Sequence, residues 1–238
     1  LAQQLGYAER DPSADVEGVD ACRKICILAS LAYGTHVYPD SVHTEGITSI
    51  TKEDVGYAGA WGGVIKLIGE VKRLENGRIH IQVAPMFISR ESQLANVDDV
   101  FNGILVRGDA TGDVVFYGKG AGKLPTASAV VADVIDCVKH FAKRKYLYWE
   151  DAKPDYVEPF DVMPTDVFVH IQGKNSDSAF DTAETLFPGA VRLIRKGEKE
   201  GEAGFVVSQI SGRELGEKLP RLEAIGVKVL GSIRISDY

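Results

Sequence analysis

Long apolar runs, cysteines and basic charge are all scarce in this sequence. The longest mainly apolar stretch, residues 25–33, is far shorter than the roughly 18 residues that a membrane span needs, so no membrane partner is predicted. Only three cysteines occur among the 238 residues, and no Asn-x-Ser/Thr site is present, which favours a reducing, cytoplasmic setting. The net charge of −7 argues against a nucleic-acid partner, because phosphate binding needs a basic surface.

The first position also lacks an initiator methionine. The chain opens on Leu1, and its two methionines are Met86 and Met163. Residues 1–5 followed by Gly6 have the pattern of a helix end with a glycine after its C-cap. We therefore expect this chain to be the C-terminal portion of a longer protein.

What the chain does contain is an ordinary globular composition, 45% hydrophobic, interrupted by one proline-rich acidic segment. Residues 150–164 carry Pro154, Pro159 and Pro164, and such a stretch resists both helix and central strand. The sequence thus predicts a first domain over residues 1–149, a linker over 150–164 and a second domain over 165–238.

The first domain reads as α+β, with a mixed or antiparallel sheet and helices on one face. A helix is expected from Asp15 or Glu17 to about Ala32. The Asn-Gly pair at residues 76–77 predicts a hairpin, and a second hairpin follows around residues 109–112. A long helix is expected from Pro125. After the linker, the order β-α-β-β-α-β predicts a ferredoxin-like domain.

Residues 6–24 crowd five carboxylates just ahead of the apolar run that starts at Ile25. If a helix covers residues 16–32, Asp20 and Lys24 lie one turn apart on one face. Two interpretations stay open on spacing alone. The pair is either an exposed i,i+4 ion pair of little energetic weight, or part of a polar site built against the core.

The same stretch resembles the homoserine dehydrogenase family, whose G-Y-x-E-x-D-P…D…G-x-D-x-x-x-K signature forms the amino-acid substrate site. The positions that match are Gly6, Tyr7, Glu9, Asp11, Pro12, Asp15, Gly18, Asp20 and Lys24. The resemblance implies that Tyr7, Glu9 and Asp15 bind the substrate, with the carboxylates holding its ammonium group. It implies that Lys24 is the acid–base residue and that Asp20 orients Lys24 or the substrate.

A glycine-rich segment, residues 117–135, joins a predicted strand to the predicted helix. It matches neither a P-loop nor a GxGxxG motif, and a simple tight turn is an open alternative. The family has a similar G-x-G-A-G-x-x-P-T-A segment beside its NAD or NADP cofactor. The resemblance therefore implies that Gly118, Gly120, Gly122 and Pro125 are adjacent to the cofactor, which an N-terminal domain preceding this chain would mainly bind.

The second domain resembles an ACT domain, the amino-acid-sensing module often joined to this family. Its loop over residues 173–178 lacks the proline and paired glycine of an effector loop, so a threonine effector remains an open expectation while an oligomerising role is retained. The resemblance implies a homodimer or homotetramer. A different hypothesis is that the chain is a non-catalytic amino-acid-sensing or oligomerisation module. No metal site is expected, because Cys22 and Cys26 read as buried small hydrophobes.

Overall fold

Most strands of the molecule belong to one mixed seven-stranded sheet. The computed structural model describes residues 11–143, 148–236 and 238. The strands are β1 (His43–Thr44), β2 (Gly63–Arg73), β3 (Ile79–Ser89), β4 (Phe101–Gly108), β5 (Gly112–Lys119), β6 (Pro164–Gln172), β7 (Val191–Leu193), β8 (Glu202–Ser211) and β9 (Lys228–Ile235). The helices are α1 (Ser13–Val16), α2 (Val19–Tyr33), α3 (Lys52–Trp61), α4 (Lys123–Lys139), α5 (Ser176–Leu186) and α6 (Gly212–Ala224).

The first half of the sheet is the β2–β3 hairpin, with β1 parallel to β3 on its other side. The predicted hairpin is confirmed: Gly77 adopts a φ of +79°, and Asn76 accepts a hydrogen bond from the Arg78 backbone N–H. The Ile79–Ile81–Val83 side of β3 packs against the buried face of α2, which includes both Cys22 and Cys26. The prediction that these two cysteines are buried is confirmed.

The expected helix start at Asp15 or Glu17 is wrong. Asp15 lies inside α1, Glu17 caps the C-terminal end of α1, and α2 begins at Val19 after Gly18 turns the chain with a φ of +81°. A residue in that left-handed conformation cannot continue a helix, so the acidic stretch is split in two. The predicted end of the helix near Ala32 is close to the observed end at Tyr33.

One helix, α3, was not predicted from the sequence. α3 starts with a capping box, in which the Thr51 hydroxyl accepts from the Asp54 N–H and the Asp54 carboxylate accepts from the Thr51 N–H. Its glycines obscured the helical pattern.

The β4–β5 hairpin forms a separate two-stranded sheet that precedes α4. This hairpin was predicted and is confirmed. α4 begins at Lys123, two residues before the expected Pro125, and none of its residues is buried. These two elements therefore stand apart from the cores of the main sheet.

In the last third of the chain, β6, α5, β7, β8, α6 and β9 follow one another, and their strands lie in the order β9-β6-β8-β7. Residues of α5 and α6 pack on this sheet, and their core includes Ala183, Phe205 and Leu222. β9 also pairs in parallel with β3, through Met86 with Arg234 and Phe87 with Ile235. One sheet thus continues from the first half of the chain into the last third.

The segment 150–164 was expected to be a linker. Its residues 150–163 form no helix or strand, whereas Pro164 is the first residue of β6. The segment contacts both halves, because Glu158 N–H donates to Ile79 O and Arg213 N–H donates to Asp161 O.

Candidate functional site

The turn between α1 and α2 sets the position of the predicted substrate residues. Gly18 is buried there, and a Cβ on it would meet Glu45 O at 3.1 Å and Val83 Cγ1 at 3.3 Å. The close approach and the positive φ both require glycine. The first residues of α2 are therefore held directly against β3 and the segment after β1.

Asp20 and Lys24 form the predicted pair. Lys24 Nζ lies 2.6 Å from Asp20 Oδ2, and the side chains are 56% and 43% exposed. The i,i+4 spacing on α2 brings the groups together on the side opposite Cys22 and Ile25, which are buried. Such an exposed pair adds only a few tenths of a kcal/mol to the free energy of unfolding. The pair therefore contributes little to the stability of the fold.

Asp15 is exposed on α1 and does not act as the helix N-cap that was one of its expected roles. The N-cap position of α1 is Pro12, which offers no side-chain cap, and just ahead of it Asp11 Oδ1 accepts a hydrogen bond from the Ser13 N–H at 3.1 Å. The same hydrogen bonding to Ser13 lowers the pKa of the Asp11 carboxyl. Asp15 is thus left without a capping role. Tyr7 and Glu9 lie outside the described residues.

The glycine segment follows β5 and leads into α4. Gly120 N–H donates to Val100 O, and a Cβ on Gly120 would come within 2.9 Å of Asn102 Cβ, so glycine is needed where this segment crosses β4. Gly122 has a φ of +111° and precedes the first turn of α4, in which Pro125 has no N–H to leave unpaired. Gly118 has no atom within 4 Å of its Cβ position.

Among the described residues, no hydrogen bond or ion pair joins the two predicted groups. The backbone hydrogen bonds of the glycine segment run to β4 and within α4, whereas Asp20 and Lys24 pair with each other on α2. Searched over the same ranges, His, Cys, Asp and Glu form no group of three that would hold a metal ion. No helix there is long and apolar enough to cross a membrane.

Sequence reasoning missed a charged cluster directly beside the α1–α2 turn. Glu45 Oε1 accepts from Arg234 at 2.7 Å and lies 2.5 Å from His43 Nε2. Burial alone would raise the pKa of the Glu45 carboxyl, but the His43 hydrogen bond and the Arg234 charge outweigh it and lower this pKa to about 2. The signal in the sequence was weak, because these three residues are separated by up to 191 positions.

A second missed cluster is buried between α3 and the last third of the chain. His170 lies 3.0 Å from Asp54 through Nδ1 and 3.2 Å from Glu202 through Nε2. Arg195 also binds both oxygens of Glu202, at 2.7 and 2.6 Å. For both Asp54 and Glu202, burial would raise the carboxyl pKa, yet hydrogen bonds from His170 or Arg195 outweigh it and lower the pKa.

The comparison with protein families is decisive for the assignment. The family model described as homoserine dehydrogenase matches residues 1–135. The chain belongs to the homoserine dehydrogenase family.

Homoserine dehydrogenases of known sequence support this. The chain is 35% identical over 239 residues to the homoserine dehydrogenase of Pseudomonas aeruginosa, covering 94% of this chain and 55% of that protein. It is 51% identical over 144 residues to that of Synechocystis, covering 58% of this chain and 32% of that protein. The chain spans about half the length of the curated relative that it matches over nearly its whole length.

Solved structures agree. A homoserine dehydrogenase from Thiobacillus denitrificans has a TM-score of 0.84 and 33% identity, covering 99% of this chain and 57% of that one. The S. aureus homoserine dehydrogenase has a TM-score of 0.76 and 32% identity, covering 100% of this chain and 57% of that one. The mixed sheet with its helices is therefore an arrangement that this family shares.

Proposed function

We propose that the complete protein is a homoserine dehydrogenase, which interconverts L-homoserine and L-aspartate 4-semialdehyde with NAD or NADP in threonine and methionine biosynthesis. The observation that carries the proposal is the family match over residues 1–135, which includes the acidic signature of residues 6–24. This chain contributes the substrate site. About 43% of the T. denitrificans structure lies outside its match to the chain, since 57% is covered.

Lys24 is proposed as the acid–base residue. During oxidation the homoserine hydroxyl loses its proton to the Lys24 amine, and the carbon that bears the hydroxyl loses a hydride. In the reverse direction Lys24 returns the proton to the oxygen. The 2.6 Å contact with Asp20 supports a role for that carboxylate in orienting the Lys24 amine.

Asp15, with Glu9 and Tyr7, is proposed to bind the amino acid. A carboxylate pairs with the ammonium group of homoserine, and charge-assisted hydrogen bonds of this kind give both strength and direction. The exposure of Asp15 on α1 leaves its carboxylate available to a ligand.

The glycine segment fits a nucleotide cofactor as a neighbouring surface. Gly118 and Gly120 have exposed backbone, and no atom occupies the space over Gly118, so a flat ligand can approach the main chain. Gly122 and Pro125 begin a helix of 17 residues, whose N-terminal end favours a polar or anionic ligand edge. NAD or NADP supplies a hydride acceptor when bound. The role of this chain's residues is to keep the substrate and Lys24 in place beside it.

The substitution Lys24→Ala tests the enzyme site. In the complete protein we expect homoserine-dependent NADPH or NADH formation to fall about 10²–10⁴-fold, which is typical for loss of a general acid–base group. Arg23→Ala is the matched control, because Arg23 is exposed on the same helix one position away and faces a different direction. Turnover by Lys24→Ala within about twofold of the parent would contradict the assignment of this role.

We further propose that this chain alone does not turn over homoserine. Hydride transfer needs the cofactor held in register with the substrate, and the glycine segment offers only one wall for it. The measurement is homoserine-dependent NADPH or NADH formation by residues 1–238. Turnover approaching that of the complete protein would refute this proposal.

Residues 165–238 are proposed to form an ACT-like unit, with residues 1–149 as the catalytic and dimerisation region. The order of elements and the strand order β9-β6-β8-β7 support a ferredoxin-like arrangement. In its first loop, Asn175 Oδ1 accepts from Asp177 N–H and Ser178 N–H. Those N–H groups are therefore already paired, which favours a structural role over threonine binding. Calorimetry distinguishes the two roles: heat on titrating threonine that is kept in Lys24→Ala would favour amino-acid sensing.

The homodimer is proposed on the basis of an open cavity and two exposed aromatic side chains nearby. A cavity of about 1140 Å³ lies between β2, β4 and α2. Phe116 and Tyr117 on the nearby β5 are exposed aromatics, which a second copy would cover. Sedimentation of the complete protein tests this expectation.

A further inference from the structure

The segment that follows β1 connects the last strand of the chain to the α1–α2 turn. Arg234 lies on β9, in register with Met86 of β3, and its guanidinium reaches Glu45 at 2.7 Å. Arg234 is 18% exposed and Glu45 38% exposed, so the pair is partly shielded from water. Such a pair fixes geometry better than a fully exposed one.

Aromatic packing holds this ion pair in one arrangement. The His43 ring stacks on Phe160 with centroids 3.6 Å apart and planes 5° apart. The Arg234 guanidinium lies 5.6 Å from the centre of the same Phe160 ring. His43 of β1 and Arg234 of β9 both reach the same oxygen of Glu45, and Phe160 from the segment before β6 packs on both of them.

Backbone contacts connect the segment at Glu45 to the α1–α2 turn, which carries the proposed substrate residues. Ile47 N–H donates to Val16 O at 2.8 Å, and a Cβ on Gly46 would collide with the carbonyl of Val16. The carbonyl of Glu45 in turn lies 3.1 Å from the position of a Cβ on Gly18. Residues 45–47 therefore act as the wall against which the α1–α2 turn is placed.

We propose that Arg234 and Glu45 are positioning residues for the homoserine site. They hold the 45–47 segment, and that segment fixes the turn from which Asp15 and the Asp20–Lys24 pair project. The last strand of the chain thereby controls how well the substrate is bound. This inference rests on the proposed function, and it assigns Arg234 and Glu45 no contact with substrate.

The test uses Arg234→Gln in the complete protein. We expect the KM for homoserine to rise about fivefold to tenfold while kcat and the KM for the nucleotide change less than about twofold. Arg234→Lys, which keeps the charge, restores most of the homoserine KM. Arg213→Gln is the matched control, because Arg213 pairs with Asp161 in the same third of the chain and is 63% exposed. We expect Arg213→Gln to leave the KM for homoserine unchanged.

Glu45→Gln is the second variant. It is expected to raise the homoserine KM in the same direction, and the double variant Arg234→Gln/Glu45→Gln to be no worse than the more affected single variant. Additive effects in this cycle, or a homoserine KM within about twofold of the parent in Arg234→Gln, would overturn the proposal.

Amide hydrogen exchange separates this inference from the proposed function. In Arg234→Gln we expect the Ile47 amide and the amides of the α1–α2 turn to exchange about tenfold faster, with no such change in Arg213→Gln. Unchanged exchange refutes the positioning role whatever the enzyme does. Faster exchange in a protein that oxidises no homoserine supports the mechanical link and refutes the proposed function alone.

Discussion

The two segments that carry the family signatures have opposite structural settings. The α1–α2 turn is packed against β3 and the 45–47 segment, with Gly18 buried and Glu45 anchored from β9. The glycine segment instead lies between the β4–β5 hairpin and α4, a helix with no buried residue. The proposed substrate residues are thus held by packing within this chain, whereas the proposed cofactor residues have little of this chain around them.

The exposed side chains of α4 show the same difference between the two segments. Seven large apolar side chains on or next to this helix are exposed: Leu124, Val130, Val131, Val134, Ile135, Val138 and Phe141. A contiguous apolar surface of this kind marks an interaction surface. The comparison shows that a segment is ordered by the core against which it packs, and of the two segments only the α1–α2 turn has such a core in this chain.

The largest predicted effect contrasts the packed sheet with the region around α4. Phe168 is fully buried between Tyr57 and Phe87, with ring centroids 5.1 and 4.9 Å away. Phe168→Ala is expected to lower the free energy of unfolding by about 3–5 kcal/mol, from lost burial and the cavity left behind. Phe141→Ala is the control, because Phe141 is 94% exposed, and its effect should stay within about 0.5 kcal/mol. Urea titration of this chain measures both, and equal losses would contradict the contrast.

A somewhat smaller loss is expected from the buried His170 cluster. His170→Ala leaves the Asp54 carboxylate buried without its imidazole partner, while Glu202 keeps Arg195. We expect the free energy of unfolding to fall by about 2–4 kcal/mol at neutral pH. The pKa values of Asp54 and Glu202 are lowered in the fold, so the parent's advantage exists at neutral pH and fades as the pH falls below about 4.

His140→Ala is the control for that measurement. His140 pairs with Asp136 on α4 in an exposed position, with the side chains 39% and 47% exposed. Its removal should change the free energy of unfolding by less than about 0.5 kcal/mol. A pH-independent loss in His170→Ala would show that lost packing, not the two carboxylates, accounts for the effect.

Local patterns predicted much of the fold, because turns and periodicity are encoded by neighbouring residues. The Asn76-Gly77 hairpin and the helix end near Tyr33 are of this kind. The pairing of β9 with β3 is not, since it joins Met86 to a residue 148 positions away and no local pattern encodes it. The linker prediction treated the two halves as separate for the same reason.

In the candidate site, too, local patterns predicted some contacts and missed others. Asp20 and Lys24 were predictable as a pair from helical spacing, and their contact is confirmed. The split of the acidic stretch at Gly18 was not foreseen, because a glycine in an acidic run gives no sign of the buried strand that it will meet. No sequence pattern indicated the proposed role of Arg234, because only the fold brings it to Glu45.

An acid titration tests how much the Glu45 carboxylate contributes to the stability of the packed part of the chain. Its pKa is lowered to about 2, so its stabilisation is present above the unfolded value near 4.5 and is lost as the pH falls toward 2. The full shift corresponds to about 3 kcal/mol, which we reduce to about 1 kcal/mol because the carboxylate is 38% exposed. Glu45→Gln should therefore be less stable than the parent at pH 6 and equal to it near pH 2.

The comparison for Glu45 is Glu75→Gln. Glu75 is an exposed acid in the β2–β3 turn, and its substitution should change the free energy of unfolding by less than about 0.5 kcal/mol. Thermal unfolding of this chain between pH 2 and pH 6 measures both variants. A Glu45→Gln deficit that persists unchanged at pH 2 would mean that the carboxylate is not the stabilising group.

The smallest predicted effect is the one that makes the enzyme test interpretable. Asp20 and Lys24 are about half exposed, so Asp20→Ala should lower the free energy of unfolding by no more than about 0.5 kcal/mol. Loss of turnover in Asp20→Ala or Lys24→Ala would then reflect chemistry, since the fold that holds the turn is unchanged. Urea titration of this chain provides the measurement. If Asp20→Ala instead lowered the free energy of unfolding by more than about 2 kcal/mol, Asp20 would be a structural residue. That result would contradict the small effect expected for an exposed ion pair.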